Sequence, residues 1–183
     1  MDREYKNARV LMVEDELREI LEKLTKEIYE KNKDEDRLLI VGIKRRGEIL
    51  AKRIAKSLGT KIDVAFGSID ITLYRDDLTS IDKKPIVRKT EIPFNIDDQD
   101  LLLVDDVLFT GRTVRSALTE LVDFGRPKRV QLAVLIDRGE REVPICPDFI
   151  GKSLKVGKKE MVEVRLHEID EEECVLIVQR QRV

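Results

Sequence analysis

The chain has 183 residues, 39% of them charged and 42% hydrophobic, with a formal net charge of −2. That length suits one ordinary domain with a sizeable core, residues 1–183 as a single unit, and the balanced charge leaves nucleic-acid binding to a local patch if it occurs at all. No run approaches the roughly 18 apolar residues of a membrane span; Met1-Asp2-Arg3-Glu4 lacks a signal-peptide core; and His167, Cys146 and Cys174, the only histidine and cysteines, argue against a zinc site, a disulfide scaffold or a His-based triad. The expected setting is a reducing cytoplasm.

Leu17, Ile20, Leu21, Leu24 and Ile28 recur at helical spacing and predict a helix over 15–31. Leu38 to Val41 reads as a buried strand. It leads through Gly42-Ile43-Lys44-Arg45-Arg46-Gly47 into a helix carrying Ile49, Leu50, Ile54, Ala55 and Leu58, with Gly59 as its stop. Val64 to Leu73 predicts a further strand. The polar run from Tyr74 to Arg88 predicts a long loop or mobile hairpin of the kind that serves as a lid. Leu101 to Val104 is the strongest buried strand, closed by Asp105-Asp106. A helix over Gly111–Phe124 follows, with Gly125 and Pro127 as terminators. Val130 to Ile136 is the next strand; Val162, Val164, Leu166 and then Val175 to Val178 alternate in strand fashion. Strand–helix–strand succession predicts an α/β fold with a mostly parallel central sheet flanked by helices. No internal repeat or linker marks a domain boundary.

The chemistry concentrates in Leu101-Leu102-Leu103-Val104-Asp105-Asp106-Val107-Leu108-Phe109-Thr110-Gly111-Arg112-Thr113. An apolar strand delivers two carboxylates to its carboxyl end, the edge where open α/β sheets bind ligands. The Thr110 and Thr113 hydroxyls, the backbone N–H groups around Gly111 and a helix N-terminus can ring a phosphate. Carboxylates suit sugar hydroxyls or a hydrated metal instead, so a sugar phosphate satisfies both halves. Two surface acids at a strand end are the plain alternative. A receiver domain needs its acids in another order, and an NTPase needs a G-x-x-x-x-G-K-[ST] loop, which is absent.

This run resembles the phosphoribosyl-pyrophosphate signature of type I phosphoribosyltransferases. With Asp70-Ile71-Thr72-Leu73-Tyr74-Arg75-Asp76-Asp77-Leu78, and with Asp137-Arg138-Gly139 followed by Arg141-Glu142, it resembles more narrowly the bifunctional pyrimidine operon attenuator and uracil phosphoribosyltransferase family, from the first helix to the last strand. The resemblance implies the type I phosphoribosyltransferase fold with a small hood and a mobile lid loop. It implies synthesis of UMP and pyrophosphate from uracil and phosphoribosyl pyrophosphate with Mg²⁺, and a homo-oligomer, dimer or higher. Asp105 and Asp106 would hold the ribose hydroxyls or the metal. Val107, Leu108, Phe109, Thr110, Gly111, Arg112 and Thr113 would form the 5′-phosphate loop. Lys44 to Gly47 matches the pyrophosphate loop, where relatives often carry a cis peptide; Arg45 and Arg46 would meet pyrophosphate, with Arg46 grouped with the two acids as catalytic. A cationic, glycine-flanked loop suits that leaving group, although a solvated basic turn has the same composition. Arg75 and Arg88 would act from the lid. Asp137 and Arg138, with Met161-Val162 as a wall, would bind uracil, unless Asp137 and Arg138 are a structural ion pair. Phe109 stands where 6-oxopurine enzymes typically carry an acid, which fits a pyrimidine.

The family also binds the leader mRNA of its own operon in response to uridine nucleotides. Arg18, Lys26, Arg141 and Lys152 are the candidates for that face, with Lys23, Lys155, Lys158 and Lys159 nearby. Glu22, Glu140 and Cys146 depart from the small hydroxylic residue, His and Arg common in the family, and thin its positive charge. Two classes therefore stand: a working uracil enzyme with or without RNA binding, and a nucleotide-sensing RNA regulator with vestigial catalysis. A phosphoribosyltransferase for another base is a third.

Overall fold

The computed structural model describes residues 8–71, 89–157 and 159–179. In chain order the elements are β1 (Arg9–Met12), α1 (Glu14–Asn32), β2 (Leu38–Ile43), α2 (Arg46–Leu58), β3 (Val64–Ile69), β4 (Asp100–Leu108), α3 (Arg112–Leu121), β5 (Arg129–Asp137), β6 (Phe149–Ser153), β7 (Glu160–Arg165), α4 (His167–Asp170) and β8 (Cys174–Gln179).

Five strands form a parallel sheet in the order β3-β2-β4-β5-β6. Its central strands are apolar at consecutive positions because both faces are covered. Leu38, Ile40, Leu102 and Val104 pack with Leu24 and Ile28 of α1 and Leu50 and Ile54 of α2. Leu39, Val41, Leu101 and Leu103 pack with Val114, Ala117 and Leu121 of α3. The chain steps outward from β2 to β3, then reverses to β4, β5 and β6. The reversal falls between β2 and β4, and such a switch point opens a crevice beyond the carboxyl ends of the two strands.

A second, antiparallel sheet runs β1-β8-β7 and forms the hood. Met12, Val164, Leu166 and Val175 of this sheet and its connections lie in the same apolar cluster as α1 and α2. No helix among the described residues is long and apolar enough to cross a membrane.

The first helix and the strands at 38, 101 and 130 lie where periodicity places them. Four local expectations change. The strand expected over 64–73 ends at Ile69, with residues 70 and 71 outside it. β4 does not close at Asp105-Asp106; its ladder with β5 runs on to Leu108, paired with Asp137. Gly59 ends α2 without a left-handed turn: its φ is −62° and its N–H donates to the Ala55 carbonyl. The helix expected over 111–124 is α3 plus a separate 3-10 turn at Val122–Phe124, with Gly111 outside it as the left-handed N-cap. The Tyr74–Arg88 segment, and with it Arg75 and Arg88, lies outside the described residues.

Candidate active site at the switch point

Two loops flank the crevice. The first follows β2. The peptide between Lys44 and Arg45 is cis. The Lys44 N–H donates to the Ile69 carbonyl at 2.9 Å, and its Nζ to the Lys89 carbonyl at 2.7 Å. Arg45 is exposed. Arg46 opens α2, and its Nε and Nη2 donate to the Asp170 carboxylate of α4 at 3.2 and 2.7 Å. Gly47 lets this loop touch its neighbour: a Cβ there would sit 2.6 Å from the Val104 carbonyl oxygen and 3.3 Å from Asp105 Oδ1.

The second loop follows β4. Asp105 is buried, and its Oδ1 accepts the Asp106 N–H at 3.0 Å; Asp106 is half-buried. Leu108 is buried; Val107, Phe109, Thr110 and Thr113 are half-buried; Arg112 is exposed. Gly111 takes φ +88°, a conformation that costs a residue with a Cβ, and it starts α3 so that the helix N-terminus faces the loop. The Thr110 hydroxyl accepts the Arg112 N–H at 3.4 Å, and the Thr110 carbonyl accepts the N–H groups of Glu142 and Val143. Arg112 Nε pairs with Glu142 at 2.6 Å.

The next strand end adds the third wall. The Arg138 guanidinium stacks 3.7 Å from the centroid of the Phe109 ring, a cation–π contact that places residues 109 and 138 together. Arg138 is almost fully buried, and its Nη1 donates to the Glu160 carbonyl of β7 at 3.0 Å. Asp137 does not pair with Arg138. Its Oδ1 accepts the Gly139 N–H and the Nη2 of Arg141, at 2.9 and 2.7 Å. Val162 sits half-buried on β7 in register with Ile177 and packs against the core cluster.

The RNA-face candidates divide. Arg18 is exposed on α1 and pairs with Asp15 at 2.5 Å, Lys26 is exposed on the same helix, and Lys152 is half-buried on β6, which α1 packs against. Arg141 is turned inward. Its Nε donates to the Ile145 carbonyl, its Nη1 to the Phe109 and Gly139 carbonyls, and its Nη2 to Asp137. It is a strut between the β4 loop and the segment after β5.

Outside the crevice, the Asp70 N–H donates to the Thr90 hydroxyl, which donates to Glu120 at 2.5 Å. Burial chiefly holds the Glu120 carboxyl above its ordinary range, with Asp70 adding repulsion and the Thr90 bond opposing. Glu142, Glu160 and Asp170 all brace the site; Glu142 belongs to the Arg141-Glu142 block quoted for the resemblance, whereas no local sequence signal marks Glu160 or Asp170.

Residues 10–165 match the phosphoribosyl transferase domain family. The bifunctional protein PyrR of Deinococcus radiodurans is 49% identical over 87% of this chain and 88% of its own length. That of Syntrophobacter fumaroxidans is 49% identical over 94% of both chains. The chain belongs to the PyrR family of phosphoribosyltransferases. Solved structures agree on the fold of this PyrR-family chain. A hypoxanthine phosphoribosyltransferase from Trypanosoma cruzi superposes with TM-score 0.73 at 21% identity over 97% of each chain. A hypoxanthine-guanine phosphoribosyltransferase from Bacillus anthracis superposes with TM-score 0.70 at 18% identity, over 97% of this chain and 99% of its own.

Proposed function

We propose that this PyrR-family phosphoribosyltransferase makes UMP and pyrophosphate from uracil and phosphoribosyl pyrophosphate, and that it also regulates pyrimidine genes by binding leader RNA. The observation that carries the enzymatic reading is the pairing, at one switch point, of the Asp105–Asp106 carboxylates with a left-handed glycine at a helix N-terminus. The acids hold the ribose hydroxyls, while Thr110, Thr113 and the N–H groups beside Gly111 cradle the 5′-phosphate. Arg45 and Arg46, across the crevice, face the pyrophosphate end.

Two adjacent carboxylates also fit Mg²⁺, which binds through one or two carboxylates and completes its shell with water and substrate phosphate oxygens. Bound by Asp105 and Asp106, the ion would neutralise charge on the departing pyrophosphate. The protein's own part is positional: it aligns the donor's anomeric carbon with the uracil nitrogen and keeps water away while positive charge develops on the sugar. The Phe109–Arg138 stack gives that nitrogen's ring a flat, polarisable wall, with Asp137 and Val162 further along the pocket. Arg88 would act from the segment beyond Ile71.

The hood shares its apolar cluster with α1 and α2, which supports reading residues 1–183 as one domain. We also assign the chain to the cytoplasm, and to a homo-oligomer as its working form. For RNA, Arg18, Lys26 and Lys152 lie on or beside α1 and supply the cationic candidates, whereas Arg141 braces the β4 loop instead.

Incubation with phosphoribosyl pyrophosphate, Mg²⁺ and uracil, guanine, hypoxanthine or orotate in turn tests the first activity. UMP from uracil alone is the expected result, and absence of UMP ends the enzymatic reading. Filter binding to a pyrimidine-operon leader, across salt concentrations and with or without UMP, tests the second. Salt-sensitive, UMP-strengthened binding is expected, and its absence removes the regulatory role.

A further inference from the structure

We propose that Asp170, on the hood, is a positioning residue for the donor site: it fixes the Arg46 guanidinium that meets the pyrophosphate end of the donor. The proposal rests on the reading of the crevice given above.

Arg46 lies at the first position of α2, directly after the cis peptide and next to Gly47, which touches Asp105. An arginine there has a long stem and many rotamers. Asp170 removes that freedom by a two-point contact, with Nε and Nη2 each on one carboxylate oxygen, which sets the plane of the guanidinium as well as its place. The carboxylate is itself fixed, because its Oδ2 also accepts the Leu166 N–H at 3.0 Å and closes the α4 turn. Side-chain exposures of 27% for Arg46 and 18% for Asp170 show that the pair is half-buried rather than free in solvent. Asp170 occupies the Nε–Nη2 edge and leaves the Nη1 edge for an anion. A cation oriented before the ligand arrives binds with less loss of side-chain entropy.

The hood is tied to α2 a second time, which provides an internal control. Arg53, seven residues along the same helix and so about 10 Å away, donates to Glu168 at 3.0 and 2.6 Å and to Glu173 at 2.6 and 2.8 Å. That tie docks the hood without touching the crevice. Loosening of the hood should therefore follow loss of either tie, whereas donor affinity should follow loss of Asp170 alone.

The experiment compares wild type, Asp170→Asn, Asp170→Glu and Glu173→Gln by steady-state kinetics, by calorimetric titration with inorganic pyrophosphate and Mg²⁺, and by thermal melting. Asp170→Asn should raise KM for phosphoribosyl pyrophosphate and weaken pyrophosphate binding, each about tenfold, with kcat held within about threefold. Asp170→Glu should recover most of the loss. Glu173→Gln should lower the melting temperature and leave KM within about twofold. An unchanged or lowered KM in Asp170→Asn, in an active wild-type background, overturns the proposal; so does an equal KM rise in Glu173→Gln. Should Asp170→Asn fail to fold, Arg46→Lys keeps the charge without the two-point contact and should show the same KM rise, and an unmoved value there is equally fatal. A wild-type protein that neither forms UMP nor binds pyrophosphate overturns the site reading and the proposal with it.

Discussion

The two loops at the switch point are built for neighbouring tasks and held in different ways. The loop after β2 is short and cationic. It is pinned from the hood through Arg46 and Asp170, and fits against β4 only because Gly47 has no side chain. The loop after β4 is braced by the segment that follows β5, its neighbouring strand. Arg141 grips the Phe109 carbonyl, the residue 142 and 143 amides bond the Thr110 carbonyl, and Arg112 pairs with Glu142. The first loop thus depends on a contact 124 residues away in sequence, the second on a segment about 30 residues downstream. A pyrophosphate must leave and a ribose phosphate must stay, and the loop pinned from the distant hood is the one assigned to the leaving group.

The sharpest way to break this division is to remove the acids that face both loops. Asp105→Asn combined with Asp106→Asn should lower kcat at least about a hundredfold, because charge opposite the developing cation and any metal is lost together. Unfolding should stay cooperative, since the amides fill the same space. Wild-type turnover would refute the assignment of the strand end.

Next in size is the contact where the loops meet. Gly47→Ala sets a methyl carbon 2.6 Å from the Val104 oxygen. That oxygen and the Asp105 Cα, 3.0 Å from the same methyl, are both backbone atoms, so the loops must separate, at a cost of about 1–3 kcal/mol in stability and a rise in donor KM. Denaturant melts with donor kinetics check both, and a neutral result would mean that the close approach is not needed.

These contacts also mark how far the sequence could be read. The parallel sheet and the acid pair were legible because burial on both faces leaves continuous apolar runs, and because Asp105 to Thr113 carries its chemistry in adjacent residues. β6 was not: Phe149–Ser153 holds Gly151 and Lys152 at a sheet edge, and Gly151 is there because a Cβ would meet the Leu135 carbonyl at 2.6 Å. β1 is four residues at the edge of the other sheet. Nor does any local pattern announce that Arg46 finds Asp170, or that Arg141, read as a surface cation, would turn inward. Charge type is written in the sequence; the partner of each charge is a tertiary fact. The division between strand-borne acids and borrowed braces is thus also the division between what could be foreseen and what could not.

Arg141→Met probes the second loop's brace. It leaves the carbonyls of Phe109, Gly139 and Ile145 without this donor, which should cost about 1–3 kcal/mol and raise donor KM, with no loss of charge from the exposed face of α1. If stability and KM both hold while RNA affinity falls, Arg141 works outward and the strut is incidental.

The smallest effect expected separates the two hood ties by pH. A hydrogen bond from Arg53 chiefly holds the Glu168 carboxyl below its ordinary range, against the opposing push of burial. A carboxyl whose folded pKa is lowered binds fewer protons in the native state. Its contribution is therefore present above the ordinary glutamate range and disappears as pH falls through the lowered value. Arg53→Met should be less stable than wild type at neutral pH, and the gap should close in acid. Glu168 is 45% exposed, so salt screens part of its share. Urea melts of both proteins from neutral pH downward measure the gap directly. A gap that stays constant into acid would mean that Arg53 stabilises the hood through its packed stem rather than its charge, leaving Arg46–Asp170 as the ion pair through which the hood acts on the crevice.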